Sequence, residues 1–196
     1  MKILIGCEES QVVCKAFRQR GHQAFSCDLQ PCSGGHPEWH LQIDVWKGLF
    51  AGYWDIIILH PPCTALAVSG NSTYANSRAR HEAATWTQEL FKLATNQCSK
   101  VAMENPVGVL NTYYPWLPKP QYIQPWQFGH PEQKKTGLWL FGLPPLKETE
   151  NVFEHMMTLP KREREKNHYR SPGPDRAKLR SKTYEGIAKA MALQWG

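Results

Sequence analysis

The tightest constraint on this chain is the run Asp55-Ile56-Ile57-Ile58-Leu59-His60-Pro61-Pro62-Cys63. Four consecutive aliphatic residues, three of them β-branched, suit a strand covered on both faces, as in a mostly parallel central sheet with helices on both sides. Pro61 and Pro62 have no amide hydrogen to give to a ladder, so the strand ends there. The two rings stiffen the exit and place Cys63 at the carboxyl edge of the sheet, where open α/β sheets bind ligands. A cysteine after a turn is by default an inert buried side chain. A chemical role for Cys63 therefore has to be carried by the rest of the chain.

The residues before that run predict a βαβ opening. Lys2-Ile3-Leu4-Ile5-Gly6-Cys7 reads as a first strand running into a glycine turn. Ser10 to Gly21 then fits a helix, with Ser10 as its cap and Val12, Val13, Ala16 and Phe17 as its apolar stripe. Ala24 to Cys27 is a second strand that closes on Asp28, an acid placed to accept hydrogen bonds from both ribose hydroxyls of an adenosine. Ile43-Asp44-Val45 predicts another short strand, from which Asp44 reaches an adenine amino group. After Cys63, the small polar residues Thr64 to Tyr74 predict a mobile loop, and residues 78 to 98 a helix. Lys100 to Met103 predicts a strand running into Glu104-Asn105-Pro106. Leu138 to Phe141 predicts another, entered through the turn from His130 to Thr136. The chain closes on a helix from Gly186 to Leu193.

Length and charge narrow the functional classes. A chain of 196 residues suits one domain with a substantial core. Its 23 Lys and Arg against 17 Asp and Glu give a net charge of +6, compatible with a polyanionic partner. No apolar run is long enough to span a membrane and no leader pattern opens the chain, so the cytoplasm is the expected compartment, with its six cysteines as free thiols. Cys27, Cys32, His36 and His40 can be written as a zinc site, although the pairing usual in structural sites is missing; the other reading is a polar loop on the cofactor side. The run Lys161-Arg162-Glu163-Arg164-Glu165-Lys166, followed by Arg170, Arg176, Lys178, Arg180 and Lys182, reads either as a solvated surface or as a phosphate-contacting segment.

Two reactive groups thus stand at the tips of neighbouring strands, the thiol of Cys63 and the carboxyl of Glu104. A thiolate adds to an electron-poor carbon, and an adjacent acid protonates the ring that receives it. His60, Lys134 or Lys135 would have to lower the thiol pKa. With an adenosine-type cofactor alongside, the economical chemistry is group transfer from S-adenosyl-L-methionine to a pyrimidine.

These residues together resemble the C5-cytosine DNA methyltransferases, most closely the short members encoded by phages and prophages. Pro62-Cys63 matches the family's Pro-Cys, and Glu104-Asn105, with Pro106 following, matches its Glu-Asn-Val. Phe128-Gly129-His130-Pro131-Glu132-Gln133-Lys134-Lys135-Thr136 is similar to its Gln-x-Arg-x-Arg element, with lysine in place of arginine. Ile5-Gly6-Cys7-Glu8-Glu9 stands where the family has Phe-x-Gly-x-Gly-Gly, and the closing helix resembles the terminal element that completes the cofactor site.

The resemblance implies a Rossmann-like methyltransferase fold, with residues 1–142 and 184–196 as the catalytic domain and 143–183 as a basic insertion serving as a minimal target-recognition segment. It implies that Cys63, presented by Pro62, adds to C6 of a flipped-out cytosine while Glu104, with Asn105, holds and protonates N3. Gly6, Cys7, Glu8, Asp28, Asp44, His60 and Pro61 would surround S-adenosyl-L-methionine, with Glu8 on the methionine amino group. Gln133, Lys134, Lys135, Arg162, Arg164 and Arg180 would contact DNA. No metal and no obligate protein partner are implied. The competing readings are an amino-methyltransferase acting on cytosine N4 or adenine N6, a non-catalytic nucleic-acid-binding or decoy protein of the same fold, and an enzyme for free pyrimidine nucleotides.

Overall fold

A computed structural model describes residues 1–169, 173 and 176–196, including all their side chains except those of 176–178. The strands are β1 (Lys2–Gly6), β2 (Gln23–Cys27), β3 (His40–Leu41), β4 (Ile56–Leu59), β5 (Val101–Pro106), β6 (Gln121–Ile123) and β7 (Thr136–Phe141). They form one sheet in the order β3-β2-β1-β4-β5-β7-β6. The first five are parallel, and β7 runs antiparallel between β5 and β6. The helices are α1 (Val12–Gln19), α2 (Val45–Phe50), α3 (Asn71–Tyr74), α4 (Arg78–Gln97), α5 (Leu110–Tyr113), α6 (Phe153–Thr158), α7 (Lys161–Arg164), α8 (Lys166–Tyr169), α9 (Arg176–Ser181) and α10 (Glu185–Trp195).

Strand alternation sorts the core into two layers. Ile3, Ile5, Ile56 and Ile58 pack with Val13 and Phe17 of α1 and Ile187 and Met191 of α10. Leu4, Ile57, Leu59 and Met103 face the other way, toward Leu49 of α2 and Leu90 and Phe91 of α4. All four residues of β4 are fully buried, as its unbroken aliphatic run requires.

Several local expectations are corrected by capping and pairing. Ile43-Asp44-Val45 is not a strand: Asp44 is the N-cap of α2 and accepts from the Trp46 amide at 2.8 Å. Ser10 does not cap α1. Gln11 occupies the cap position in a left-handed conformation, and the Glu8 carboxylate accepts from the Val13 amide at 2.7 Å and the Cys14 amide at 3.2 Å. β5 does not stop at Met103, because β7 pairs with it through Glu104 and Asn105 as far as Pro106. Pro106 is tolerated there because the β4 ladder ends at Met103, leaving the end of β5 paired on one side only. The three-residue β6, flanked by prolines, is an addition to the expected strands.

The segment from Thr64 to Tyr74 is folded rather than open. Val68–Gly70 forms a turn of 3-10 helix, and Ala67 bridges to Gly108. Arg80, only 3% exposed, donates to the carbonyls of Ala65 (2.7 Å) and Ala67 (3.2 Å) and to Asn71 Oδ1 (2.7 Å). The guanidinium thus collects the orphan acceptors of the loop that follows Cys63.

Gly6 ends β1 where a Cβ would lie 2.7 Å from Val45 Cγ2 and 2.8 Å from Leu59 Cδ2. Gly6→Ala is expected to lower the unfolding free energy by about 1–3 kcal/mol through overpacking. Urea denaturation measures it, and an unchanged midpoint would contradict the close approach.

Candidate active site

The carboxyl ends of β1, β2, β4 and β5 share one edge of the sheet, and β4 and β5 set the site by their register. Leu59 pairs with Met103, so the next residues on each strand, His60 and Glu104, emerge side by side. His60 Nδ1 lies 2.7 Å from Glu104 Oε2, with side chains 11% and 12% exposed. Thr183 Oγ1 donates to the same carboxylate oxygen at 3.2 Å. Burial opposes the charge on Glu104, but His60's hydrogen bond and charge, then Lys134 and Thr183, hold the carboxyl below its ordinary range. Burial likewise pushes His60 down. The hydrogen bond and charge of Glu104, with the charge of Glu8, outweigh it and Lys134's repulsion, so the imidazole ends above its ordinary value.

The Pro61-Pro62-Cys63 exit is held from both sides. Pro61 is buried, Pro62 exposed and Cys63 half-buried. The His60 amide donates to the Gly6 carbonyl at 2.9 Å, and the Cys63 carbonyl accepts from the amides of Leu66 and Ala67, both at 3.0 Å. Asn105, only 2% exposed, donates from Nδ2 to the Pro61 carbonyl at 3.1 Å, tying the end of β5 to the loop that carries the thiol.

The Cys63 thiol is raised, first by burial and then by the charge of Glu104, while Lys134 and Arg180 pull it down without reversing the shift. The expected net lowering by His60, Lys134 or Lys135 is therefore corrected. His60 is turned to Glu104, Lys135 Nζ lies over the Tyr122 ring at 4.5 Å, and Lys134 is outweighed. The two lysines diverge, since Lys134 Nζ donates instead to the Lys182 carbonyl at 3.2 Å.

Around the first turn, Cys7 takes a left-handed conformation with φ of 59°, one that glycine ordinarily supplies. Burial, and then Asp28, Cys27 and Asp44, push its thiol far up. Asp28 stands half-buried at the end of β2 and accepts from the Gln30 amide at 2.9 Å. Glu8 is 5% exposed, with both oxygens on α1, and burial raises its carboxyl despite His60's charge and the two amides. Glu8 and Asp44 are thus both helix caps as well as neighbours of this edge.

The residues expected on DNA separate into groups. Lys134 and Arg180 act on Cys63. The Gln133 amide donates to the Arg164 carbonyl at 2.6 Å, and Arg164 Nη1 lies 3.4 Å from Met157 Sδ. Arg162 is exposed. Arg170 and the side chains of Arg176 and Lys178 lie outside the described residues. The turn before β7 is also latched to the basic segment by Glu132, 7% exposed, which accepts from Tyr184 Oη at 2.7 Å and pairs with Lys166 at 2.5 Å.

Cys27, Cys32, His36 and His40 are not gathered as ligands. Both His40 nitrogens are engaged, Nδ1 at 2.9 Å from Ser26 Oγ and Nε2 at 2.9 Å from the Gln30 carbonyl. Among the described residues no group of three or more His, Cys, Asp or Glu is placed to hold a metal. Gln11, fully buried, organises the loop instead, donating to the His36 carbonyl at 2.7 Å and accepting from its amide at 3.0 Å.

Sequence reading missed Thr183, which no spacing marks, and Arg80. The latter carried a signal, because it falls on the buried face of α4 with Ala84, Thr87, Phe91 and Ala94.

The architecture is a Rossmann-like methyltransferase fold. A crystal structure of the Dnmt2 methyltransferase of S. pombe superposes with a TM-score of 0.50 at 12% sequence identity, covering 89% of this chain and 61% of that one. The chain therefore spans less than two thirds of that neighbour's length, and the likeness is one of fold. No protein-family model and no curated protein matches the sequence. Among the described residues no helix is long and apolar enough to cross a membrane.

The paired titration has a stability signature. His60's contribution is complete below 6.5 and fades as pH rises through its raised pKa, while Glu104's is complete above 4.5 and fades as pH falls through its lowered pKa. Glu104→Gln is expected to destabilise by about 1–3 kcal/mol, because a buried partner is left unsatisfied. In urea titrations the deficit should be largest between pH 4.5 and 6.5 and should narrow outside it.

Proposed function

We propose that this chain is an S-adenosyl-L-methionine-dependent DNA methyltransferase that modifies C5 of a flipped-out cytosine through a covalent bond between Cys63 and C6. The observation that carries the reading is that Cys63 and Glu104 follow adjacent strand ends, near enough for the carboxylate charge to act on the thiol, with Lys134 and Arg180 as the opposing cations. A nucleophile beside an acid suits a pyrimidine ring, which must gain a bond at C6 and a proton at N3 together. An amino-methyltransferase has no use for a thiol at this point.

The residues at the first turn fit the cofactor. Cys7 supplies the glycine-like backbone that lets a ligand approach, and Asp28 stands at the ribose position at the end of β2. Gly6, Pro61 and His60 line the same edge. His60 Nε2 is buried with no hydrogen-bond partner among the described residues, as expected of an atom that meets a ligand. The Glu8 and Asp44 carboxylates fix the two helix starts that frame this space. S-adenosyl-L-methionine, when bound, supplies the methyl group that C5 takes up.

In this reading Asn105 and Pro62 hold the thiol loop, and Cys63 attacks C6 as Glu104 engages N3. Residues 143–183 serve as a minimal target-recognition segment on the catalytic domain of residues 1–142 and 184–196. Lys134 and Arg180 contact the extruded nucleotide, while Gln133, Lys135, Arg162 and Arg164 approach the flanking phosphates. The chain then belongs with the short phage and prophage enzymes, acting on DNA in the cytoplasm.

Cys63→Ala is expected to abolish transfer of labelled methyl from the cofactor to DNA, and Glu104→Gln to slow it by about 10²–10⁴-fold while sparing DNA affinity. Filter-bound radioactivity and mass spectrometry of the digested nucleosides measure both. Full activity in Cys63→Ala, or a methyl group found on N4 or N6, would contradict the assignment.

A further inference from the structure

Resting on that reading, we infer that His60 is the positioning residue that supplies, through Glu104, the proton that cytosine N3 gains. The geometry is specific. His60 leaves β4 directly after Leu59, and its ring crosses to β5, with Nδ1 2.7 Å from Glu104 Oε2 and both side chains nearly enclosed. Glu104 accepts at that oxygen from His60 Nδ1 and Thr183 Oγ1. A carboxylate so held is an acceptor only, so it has no proton of its own for N3. A threonine hydroxyl is far too weak an acid to replace it, which leaves the imidazole.

The step balances. As the Cys63 sulfur bonds to C6, the C5=C6 pair shifts between C5 and C4, and the C4=N3 pair moves onto N3. The Nδ1–H bond of the His60 imidazolium breaks, its proton passes to the Glu104 carboxyl, and the carboxyl delivers a proton to N3. His60 is left neutral, with its remaining proton on Nε2. C5 takes the methyl group of S-adenosyl-L-methionine, which leaves as the neutral thioether, the C4=C5 pair making the new bond and the N3 pair restoring C4=N3. When C5 then loses its proton to solvent, the C5=C6 bond re-forms and the Cys63 sulfur leaves as thiolate. The N3 proton then returns through Glu104 to His60. The charged groups acting on His60 are Glu104 on β5, Glu8 after β1 and Lys134 before β7; the two carboxylates favour the imidazolium, and Lys134 opposes it. Rate is therefore expected to rise with pH as Cys63 ionises and to fall again as His60 loses its proton.

The test joins a nitrogen NMR titration of His60 in the full chain to His60→Asn, whose amide keeps a donor near the Nδ1 position but cannot titrate. The expected results are an imidazolium that persists above pH 6.5 and is lost in Glu104→Gln. At saturating cofactor, His60→Asn should transfer methyl about 10²–10⁴-fold more slowly in a single turnover and lack the alkaline limb. A ring already neutral at pH 6.5 overturns the inference. So does a variant that keeps the parent rate, or a slower one that keeps the alkaline limb and so marks a structural role. If His60→Asn does not fold, the NMR titration decides alone. A parent enzyme that methylates no cytosine contradicts the functional reading instead, and the titration still judges the pair.

Discussion

Two ionisable side chains buried side by side at the end of a sheet, His60 and Glu104, are tolerable only as a pair. Either charge alone would bear the cost of leaving water, and the 2.7 Å hydrogen bond between them offsets it. That contact depends on the parallel register of β4 and β5, on Asn105 fastening Pro61, and on Thr183 brought in just before α10. Strand order, loop closure and the late part of the chain therefore all converge on one carboxylate.

The same carboxylate governs the thiol. Its charge and the burial of the loop raise Cys63, while Lys134 and Arg180 work in the other direction. In the proposed reaction, the proton that His60 passes to Glu104 removes that charge as the ring is engaged, and the thiolate becomes easier to form. The latch from Glu132 to Tyr184 and Lys166, with Gln133 bonded to Arg164, fixes the turn bearing Lys134 against the basic segment. The cations thus depend on residues far along the chain for their position.

The framework was legible where physics acts locally. The aliphatic run of β4, the prolines that end it, the βαβ opening and the long α4 follow from hydrophobic period and chain stiffness, and the pairing of Cys63 with Glu104 follows from strand ends alone. Caps were not legible. An apolar residue, an acid and another apolar residue suit a short strand as well as a helix start, and Asp44 resolves to a cap because its backbone turns into α2. Ser10 lost the α1 cap to Glu8, whose reach back to the amides depends on the left-handed Cys7 and Gln11. Long-range partners such as Thr183 on Glu104, or Arg80 under the loop after Cys63, leave little trace in spacing. The shift of the Cys63 thiol depends on burial, which a sequence does not specify.

The most direct measurement of the central claim is incubation of the chain with S-adenosyl-L-methionine and DNA containing 5-fluorocytosine. Fluorine at C5 cannot leave as a proton does, so the bond to C6 is trapped. A covalent protein–DNA adduct mapped by peptide mass spectrometry to Cys63 is the expected result. An adduct at any other residue, or none under conditions where unmodified DNA is methylated, would contradict Cys63 as the nucleophile.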